Sequence, residues 1–176
     1  MRYKTRRFEL SKPSFIIHGE GFREAVEFIE KKLKKKVYMI GSHALYKYRL
    51  PLWRPIEDLD LYAPLTPRER SRLIIYMRRQ QISNHSSLPG LKFHLIGDTV
   101  TEFITPVRES SWDERPIEVK GCKVYLPPLE DLILLKLISP RIKDRQDAEL
   151  ALLLGKKKID FDKLTKRNKK LGSPNS

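Results

Sequence analysis

The chain of 176 residues has one cysteine, Cys122, and no apolar run close to the length of a membrane span. A single cysteine excludes a disulfide framework and a cysteine-rich zinc site. A transmembrane helix needs about 20 consecutive apolar residues. The basic start of the chain, with Arg2, Arg6 and Arg7, is not followed by the apolar core of a secretory signal. These absences predict a soluble cytoplasmic protein without a membrane partner.

Acidic residues are outnumbered by basic ones. The chain has 36 Lys and Arg against 22 Asp and Glu, which gives a formal net charge of +14. Such an excess favours a polyanionic partner, namely a nucleotide, RNA or DNA. A lysine-rich solubilising surface gives the same count, and the scarcity of Asn and Gln fits that alternative. The charge therefore indicates a class of partner without locating its site.

Several enzyme motifs are missing. The chain has no Walker A loop, and His18-Gly19-Glu20 is not followed by the Pro-Cys-x-x-Cys of zinc deaminases. Glu118-Val119-Lys120 mimics the Glu-x-Lys of metal-dependent nucleases, but Gly121 turns the chain directly into another strand. A surface hairpin is the better interpretation, and a nuclease is only the third hypothesis for this chain.

Apolar spacing predicts an α/β (α+β) fold with a mixed sheet flanked by helices. A polar loop is expected at 81–90 and another loop at 106–115. The predicted helices are 22–36, 44–48, 67–79, 129–138, 144–154 and 160–171. The predicted strands are 37–40, 58–63, 91–96, 99–104, 117–119 and 122–126.

The pair Pro127-Pro128 marks a boundary in this order of elements. Residues 1–127 are expected to form the core, and residues 128–172 a C-terminal helical extension packed on the same core. Residues 173–176 are expected to be a disordered tail.

The most informative segment is Asp58-Leu59-Asp60-Leu61, in which acidic and apolar residues alternate with period two. On a strand, that alternation puts both carboxylates on one face. Two adjacent like charges are unfavourable unless a cation lies between them, so metal binding is the natural use. Gly41-Ser42, after the apolar run Val37–Ile40, is a candidate phosphate-binding turn. A glycine there lets backbone N–H groups and the Ser42 hydroxyl approach phosphate.

Two-metal enzymes use carboxylates to hold two divalent ions about 3.5–4 Å apart. Asp58 and Asp60 would supply two of the ligands, and Glu102 on a neighbouring predicted strand is the candidate for the third. Asp98 and His94 are rivals, but Asp98 falls in a predicted turn and histidine is a poor magnesium ligand.

These segments, in this order, resemble the minimal nucleotidyltransferases of the polymerase-β-like superfamily, including the abortive-infection toxin type. The resemblance covers about residues 37–155. It implies a Mg²⁺ (or Mn²⁺) enzyme that transfers a nucleoside monophosphate from an NTP to an acceptor hydroxyl of an RNA end, a protein or a small molecule. It also implies a cognate antitoxin as a partner. The matching segments are Gly41-Ser42, Asp58–Asp60, Thr101–Pro106, Val124–Glu130, Lys136 and Arg141–Asp147.

The resemblance assigns two groups of residues. Asp58, Asp60 and Glu102 are the catalytic and metal-binding residues. The residues that would bind the nucleotide are Gly41, Ser42, Lys136, Arg141 and Lys143.

Lys136 supports this assignment independently, because it interrupts an apolar helix on the stripe that carries Leu129, Leu132 and Ile133. A buried, unpaired ammonium is unfavourable by several kcal/mol, so Lys136 must either extend to water or meet an anion. The family places a lysine here against the triphosphate.

Other charged residues nearby have plainer alternatives. Arg54 fits a phosphate ligand and a loop charge equally well. Asp144 and Asp147 could serve as an N-cap and as an intrahelical ion-pair partner.

The sequence departs from the family pattern at three places. The spacing between Gly41-Ser42 and Asp58 is longer than usual, Ile56 replaces a common Ser or Thr, and the third acid is Glu102 rather than Asp. The alternative hypothesis is therefore a catalytically degenerate nucleotidyltransferase fold that acts as a basic nucleic-acid-binding module.

Overall fold

The structure is a computed structural model. It describes residues 19–50, 52–54, 56, 58–79, 84–87, 90–94, 100–104, 112, 115–119 and 121–172. The predicted tail at 173–176, the rival ligand Asp98 and most of the predicted loop at 106–115 lie outside the described residues.

Within these described residues, seven strands form one mixed sheet in the order β3-β4-β5-β2-β1-β7-β6. β2 is parallel to β5 and β1 is parallel to β7, and the other neighbours are antiparallel. This confirms the predicted mixed sheet and both predicted hairpins, β4–β5 and β6–β7. The strands are β1 Tyr38–Met39, β2 Asp58–Tyr62, β3 Asn84–Ser87, β4 Gly90–His94, β5 Val100–Ile104, β6 Arg115–Val119 and β7 Cys122–Leu126.

The helices flank this sheet and overlap the predicted ones, but the first helix ends at Lys32 rather than in the predicted Lys34–Lys36, since Lys34 has a left-handed φ of 55°. They are α1 Gly19–Lys32, α2 Gly41–Lys47, α3 Pro67–Arg79, α4 Leu129–Leu137, α5 Ile142–Leu154 and α6 Phe161–Gly172. None of the helices in the described part of the chain has the length and apolar character needed to cross a bilayer.

The prediction of a polar loop over 81–90 is wrong at 84–87, where the chain forms β3 at the edge of the sheet. The sequence Asn84-His85-Ser86-Ser87 has no apolar alternation to indicate a strand. Pairing with β4 requires only backbone N–H and C=O groups, and an edge strand does not need a buried face. Composition therefore gave no signal for this strand.

The leucine face of β2 packs into the centre of the apolar core. Leu59 and Leu61 of β2 are fully buried, and they belong to one hydrophobic cluster with residues of α1 and α3 such as Val26 and Leu73. Ile133 of α4 and Ala148 of α5 belong to the same cluster, so the C-terminal helices share the core of the sheet. Asp60 and Tyr62 alternate with the leucines, and thus lie on the opposite face.

The predicted capping box at the start of α3 is present. The Thr66 backbone N–H donates to Glu69 Oε2 at 2.8 Å, and the Glu69 backbone N–H donates to Thr66 Oγ1 at 3.2 Å. Pro67 occupies the first helical position, where its missing N–H is not needed. The capping box thus fixes where α3 begins, a short connection after β2.

We predict that Thr66→Ala destabilises the protein by about 1 kcal/mol, the usual effect of losing an N-cap side chain. Ser71→Ala is the matched control because Ser71 is exposed on the same helix and its hydroxyl bonds only to the Pro67 carbonyl. Urea unfolding measures both changes. Equal effects of the two substitutions would contradict a capping role for Thr66.

Candidate active site

Gly41 and Asp60 meet where β1 gives way to α2. The Ile40 backbone N–H donates to the Asp60 carbonyl at 3.0 Å, which holds the end of β1 against β2. Gly41 then adopts φ +67°, a left-handed conformation that favours glycine. A Cβ added to Gly41 would lie 2.0 Å from Oδ2 of Asp60, so the absence of a side chain makes room for this carboxylate.

The backbone register aligns the three acidic residues predicted to hold metal. In the parallel pair β2–β5, Asp60 is the register partner of Glu102, and Asp58 is the partner of Val100. Neighbouring strands lie about 4.8 Å apart, and register partners share a face of the sheet. His94 pairs with Val100 on the far side of β5, one strand further from β2. The register thus favours Glu102 over His94 as the third metal ligand.

No cluster of three or more His, Cys, Asp or Glu that could hold a metal occurs among the residues whose side chains the structure describes. The side chains of Asp58 and Glu102 lie outside that set. The convergence of the three carboxyl groups therefore remains a prediction, which the backbone register supports.

Lys136 is buried and is paired with acidic residues of the chain itself. It is 5 % exposed, and its Nζ donates to Asp144 Oδ1 at 2.8 Å and to Asp147 Oδ2 at 2.8 Å. The ammonium group does not extend to water. The anions that its burial requires are two carboxylates of α5, so burial alone does not demand a triphosphate at this position.

The hydroxyl group of Ser42 has all of its hydrogen-bonding capacity occupied in this arrangement. It donates to Asp147 Oδ2 at 3.0 Å, and it accepts from Arg54 Nη2 at 3.0 Å and from Lys136 Nζ at 3.2 Å. A serine hydroxyl offers one donor and two acceptor positions, so none is left over. Ser42 thus links α2 to α4, to α5 and to the segment before β2.

Asp147 lies at the centre of this network. Its Oδ2 accepts hydrogen bonds from Ser42, Arg54 and Lys136, all outside α5, while its Oδ1 is buried without a hydrogen-bond partner among the described residues. The interpretation of Asp147 as an intrahelical ion-pair partner is therefore wrong. Its partners come from three other parts of the chain, which the local helical spacing does not reveal.

Asp144 completes the network on its outer side. Burial alone would raise its pKa, but hydrogen bonds from Lys136, Ser139 and Arg141, together with the Lys136 charge, lower the pKa to about 2. Arg141, and not Asp144, occupies the N-cap position of α5, so the N-cap interpretation of Asp144 is also wrong. The Asp144 carboxylate instead points back to α4 and stays ionised at neutral pH.

The structure thus brings most of the predicted nucleotide-binding residues together. Gly41 abuts Asp60, whereas Ser42, Lys136 and Arg141 join through Asp144 and Asp147. Lys143 is half-buried on the first turn of α5. Sequence reasoning missed Asp144, Asp147 and Arg54 as members of one buried network.

Comparison with known proteins identifies the family of this chain. The family model "Nucleotidyltransferase of unknown function (DUF6036)" matches residues 21–173. The chain belongs to this family, and its enzyme class is therefore that of the nucleotidyltransferases, as the sequence resemblance implied. A search of curated proteins found no significant match.

Solved structures show the same fold at low sequence identity. The antibiotic-resistance factor ANT(2″)-Ia is 14 % identical with a TM-score of 0.54, covering 82 % of this chain and 89 % of that chain. Its complex with adenylyl-2″-tobramycin is 14 % identical with a TM-score of 0.50, covering 84 % and 96 %. A weaker match, which by itself does not establish a shared fold, is the lincosamide adenylyltransferase LnuA bound to lincomycin, 11 % identical with a TM-score of 0.48, covering 69 % and 89 %. At these identities the likeness concerns the fold alone.

We predict that Gly41→Ala destabilises the protein more than the control Gly121→Ala. Both glycines have positive φ, +67° and +75°, so both substitutions carry the left-handed penalty of about 1–2 kcal/mol. Only at Gly41 does the new Cβ also collide with Asp60, because the atom nearest to a Cβ at Gly121 is 3.6 Å away. Urea unfolding of the two variants measures the difference, and equal losses would contradict the close approach.

We predict that Lys136→Ala destabilises the protein by about 3–5 kcal/mol, because it leaves two buried carboxylates without their shared cation. Lys156→Ala is the control, since Lys156 is exposed and surface substitutions usually change stability by less than about 0.5 kcal/mol. A loss below about 1 kcal/mol in chemical denaturation would contradict the structural role of the pair.

Proposed function

We propose that this nucleotidyltransferase transfers a nucleoside monophosphate from an NTP to an acceptor hydroxyl, with Asp58, Asp60 and Glu102 holding divalent metal. The observation that carries the proposal is the register of β2 and β5, in which Asp60 and Glu102 are direct partners. Membership of a nucleotidyltransferase family supports the type of reaction.

The reaction is a substitution at the α-phosphorus of the NTP. The acceptor oxygen forms a bond to this phosphorus, the bond to the β-phosphate oxygen breaks, and pyrophosphate leaves. The proton of the acceptor hydroxyl passes to solvent. The substitution needs no oxidant, no reductant and no covalent enzyme intermediate.

The acidic residues fit Mg²⁺ or Mn²⁺ by their chemistry. Carboxylate oxygens are the ligands that these hard cations prefer. Gly41 leaves the space beside Asp60 Oδ2 that a side chain would otherwise fill. When bound, such ions activate an attacking hydroxyl and neutralise the triphosphate and its leaving group. Asp58, Asp60 and Glu102 would orient them from β2 and β5.

Ser42 and Lys136 would still bind the triphosphate, but only if their present contacts with carboxylates change. Their polar groups already bond to Asp144 and Asp147, so a phosphate oxygen must take the place of a carboxylate contact or share the cation. A lysine ammonium has three donors and can serve more than one anion. Arg141, which is half exposed while bonded to Asp144, can contact phosphate from the outer side.

We predict that Asp58→Ala/Asp60→Ala abolishes transfer of label from an α-³²P-NTP to acceptors in a cellular RNA and protein pool. Loss of residues that merely orient metal ligands costs about 10–100-fold, so removal of two ligands should exceed 100-fold. Passive binding to polyanions should persist or tighten because two negative charges are removed. Transfer is measured by labelled product with Mg²⁺, and passive binding by a nucleic-acid shift in EDTA.

The matched control is Glu149→Ala/Asp162→Ala, which removes two exposed carboxylates from α5 and α6. It should retain transfer while changing the net charge by the same amount. If the parent protein labels no acceptor and yet binds nucleic acid in a salt-sensitive manner, the degenerate binding module is the correct function.

A further inference from the structure

An aromatic cluster lies beside the candidate metal site on the same face of the sheet. Asp60 and Tyr62 are two residues apart on β2, so they share a face and stand about 7 Å apart along the strand. Tyr38 of β1 is the register partner of Tyr62, and it is also the partner of Tyr125 on β7. Three tyrosines therefore extend across three strands, starting one step from Asp60.

Trp112 packs against the inner part of this tyrosine row. Its ring centroid is 4.8 Å from that of Tyr38 and 5.1 Å from that of Tyr62, both in edge-to-face geometry. Tyr38 lies 5.9 Å from Tyr62 and 5.9 Å from Tyr125. We call these four residues, Tyr38, Tyr62, Trp112 and Tyr125, the aromatic platform.

The two inner rings and the two outer rings of the platform differ in exposure. Tyr38 and Tyr62 are buried and belong to the hydrophobic core cluster, whereas Trp112 and Tyr125 pack against that cluster and are only half-buried. The buried pair anchors the platform, and the outer pair keeps surface in contact with solvent. A ligand would therefore reach Trp112 and Tyr125 first.

Two lysines bring positive charge to the outer end of the platform. Lys36 Nζ lies 5.3 Å, and Lys123 Nζ 5.2 Å, from the centroid of the Tyr125 ring. Both lysines are exposed, and both are within the range of a cation–π contact. Glu118 is the register partner of Lys123 and offsets part of this charge. A half-buried ring with two ammonium groups close to it suits a ligand that combines a planar ring with negative charge.

We infer that the platform binds the 3′-terminal nucleotides of a single-stranded nucleic acid, which is then the acceptor. The inference rests on the proposed function. Bases would stack on Trp112 and Tyr125, and the intervening phosphates would contact Lys36 and Lys123. The terminal hydroxyl would extend along β2 toward Asp60. A duplex does not fit because its bases are paired and stacked on each other, whereas any unpaired base offers a ring face for stacking.

Binding can be tested without catalysis, in EDTA and without NTP. The probe is a short labelled single-stranded oligonucleotide with a 3′-hydroxyl, followed by fluorescence anisotropy. Tyr125→Ala should weaken binding about tenfold, within the range for one stacked base. Tyr125→Phe keeps the ring and should bind like the parent. Phe161→Ala, which removes an exposed ring from α6, is the control and should also bind like the parent.

Tryptophan fluorescence locates the contact. The chain has two tryptophans, so in a Trp53→Phe background Trp112 is the reporter. Single strands should quench it, whereas the matching duplex and inorganic polyphosphate should not. If Tyr125→Ala fails to fold, Trp112→Leu provides the second variant, with the same expected loss of affinity. Equal quenching by all three probes, or unchanged affinity in both variants, would overturn the inference.

Two double variants that remove the same charge distinguish binding at the platform from binding caused by net positive charge. Lys36→Ala/Lys123→Ala should reduce the salt dependence of log K by about 1.4, since each contact to a single strand contributes about 0.7. Lys156→Ala/Lys166→Ala removes the same charge from exposed positions after α5 and on α6. Equal losses in the two double variants would assign binding to net charge and overturn the inference.

The transfer assay tests the acceptor site and the proposed function separately. Platform variants should raise the acceptor KM and leave unchanged the rise in Tm that Mg²⁺ and NTP cause. A parent protein that binds single strands at Trp112 but transfers no label would refute the proposed function while supporting the binding site. Normal transfer to RNA by Tyr125→Ala with an unchanged acceptor KM would refute the platform as the acceptor site.

Discussion

The buried ammonium group of Lys136 holds the candidate site together. Removing an ammonium and two carboxylates from water is unfavourable by several kcal/mol per ion, and only close, well-directed contacts offset this. Lys136 meets Asp144, Asp147 and Ser42 within hydrogen-bonding distance, and Arg54 adds a second cation at Asp147. Because these groups come from α2, α4, α5 and the segment before β2, their relative positions cannot shift independently.

That network sets the position of α2, and the first residue of α2 contacts the Asp60 carboxylate. Ser42 is tied to Asp147, and Gly41 immediately before it is pressed against the Asp60 carboxylate. A displacement of α5 would therefore be transmitted to the candidate metal site through two consecutive residues of α2. The network supplies rigidity at the base of the site, while the carboxylates of β2 and β5 are the groups proposed to hold the metal.

Much of the fold could be predicted because its elements carry local signals. The period-two alternation at Asp58–Leu61 and the capping box at Thr66 each depend on residues close in sequence. β3 at Asn84–Ser87 gave no such signal, since backbone pairing at a sheet edge demands little of side chains. The partners of Asp147 were missed because Ser42 is 105 residues away, although the burial of Lys136 already required an anion nearby.

Both faces of the sheet contribute to the buried core, but only one of them carries the acidic and aromatic residues of the proposed site. Leu59 and Leu61 point into the helical core, so the position of β2 is fixed by apolar packing on one side. Period-two alternation leaves Asp60 and Tyr62 on the other face, which is also packed, since Tyr38 and Tyr62 belong to the same core cluster. A chain of this size has room for one core only. The proposed acceptor would therefore approach this face at the half-buried Trp112 and Tyr125, beside the carboxylates proposed to hold metal.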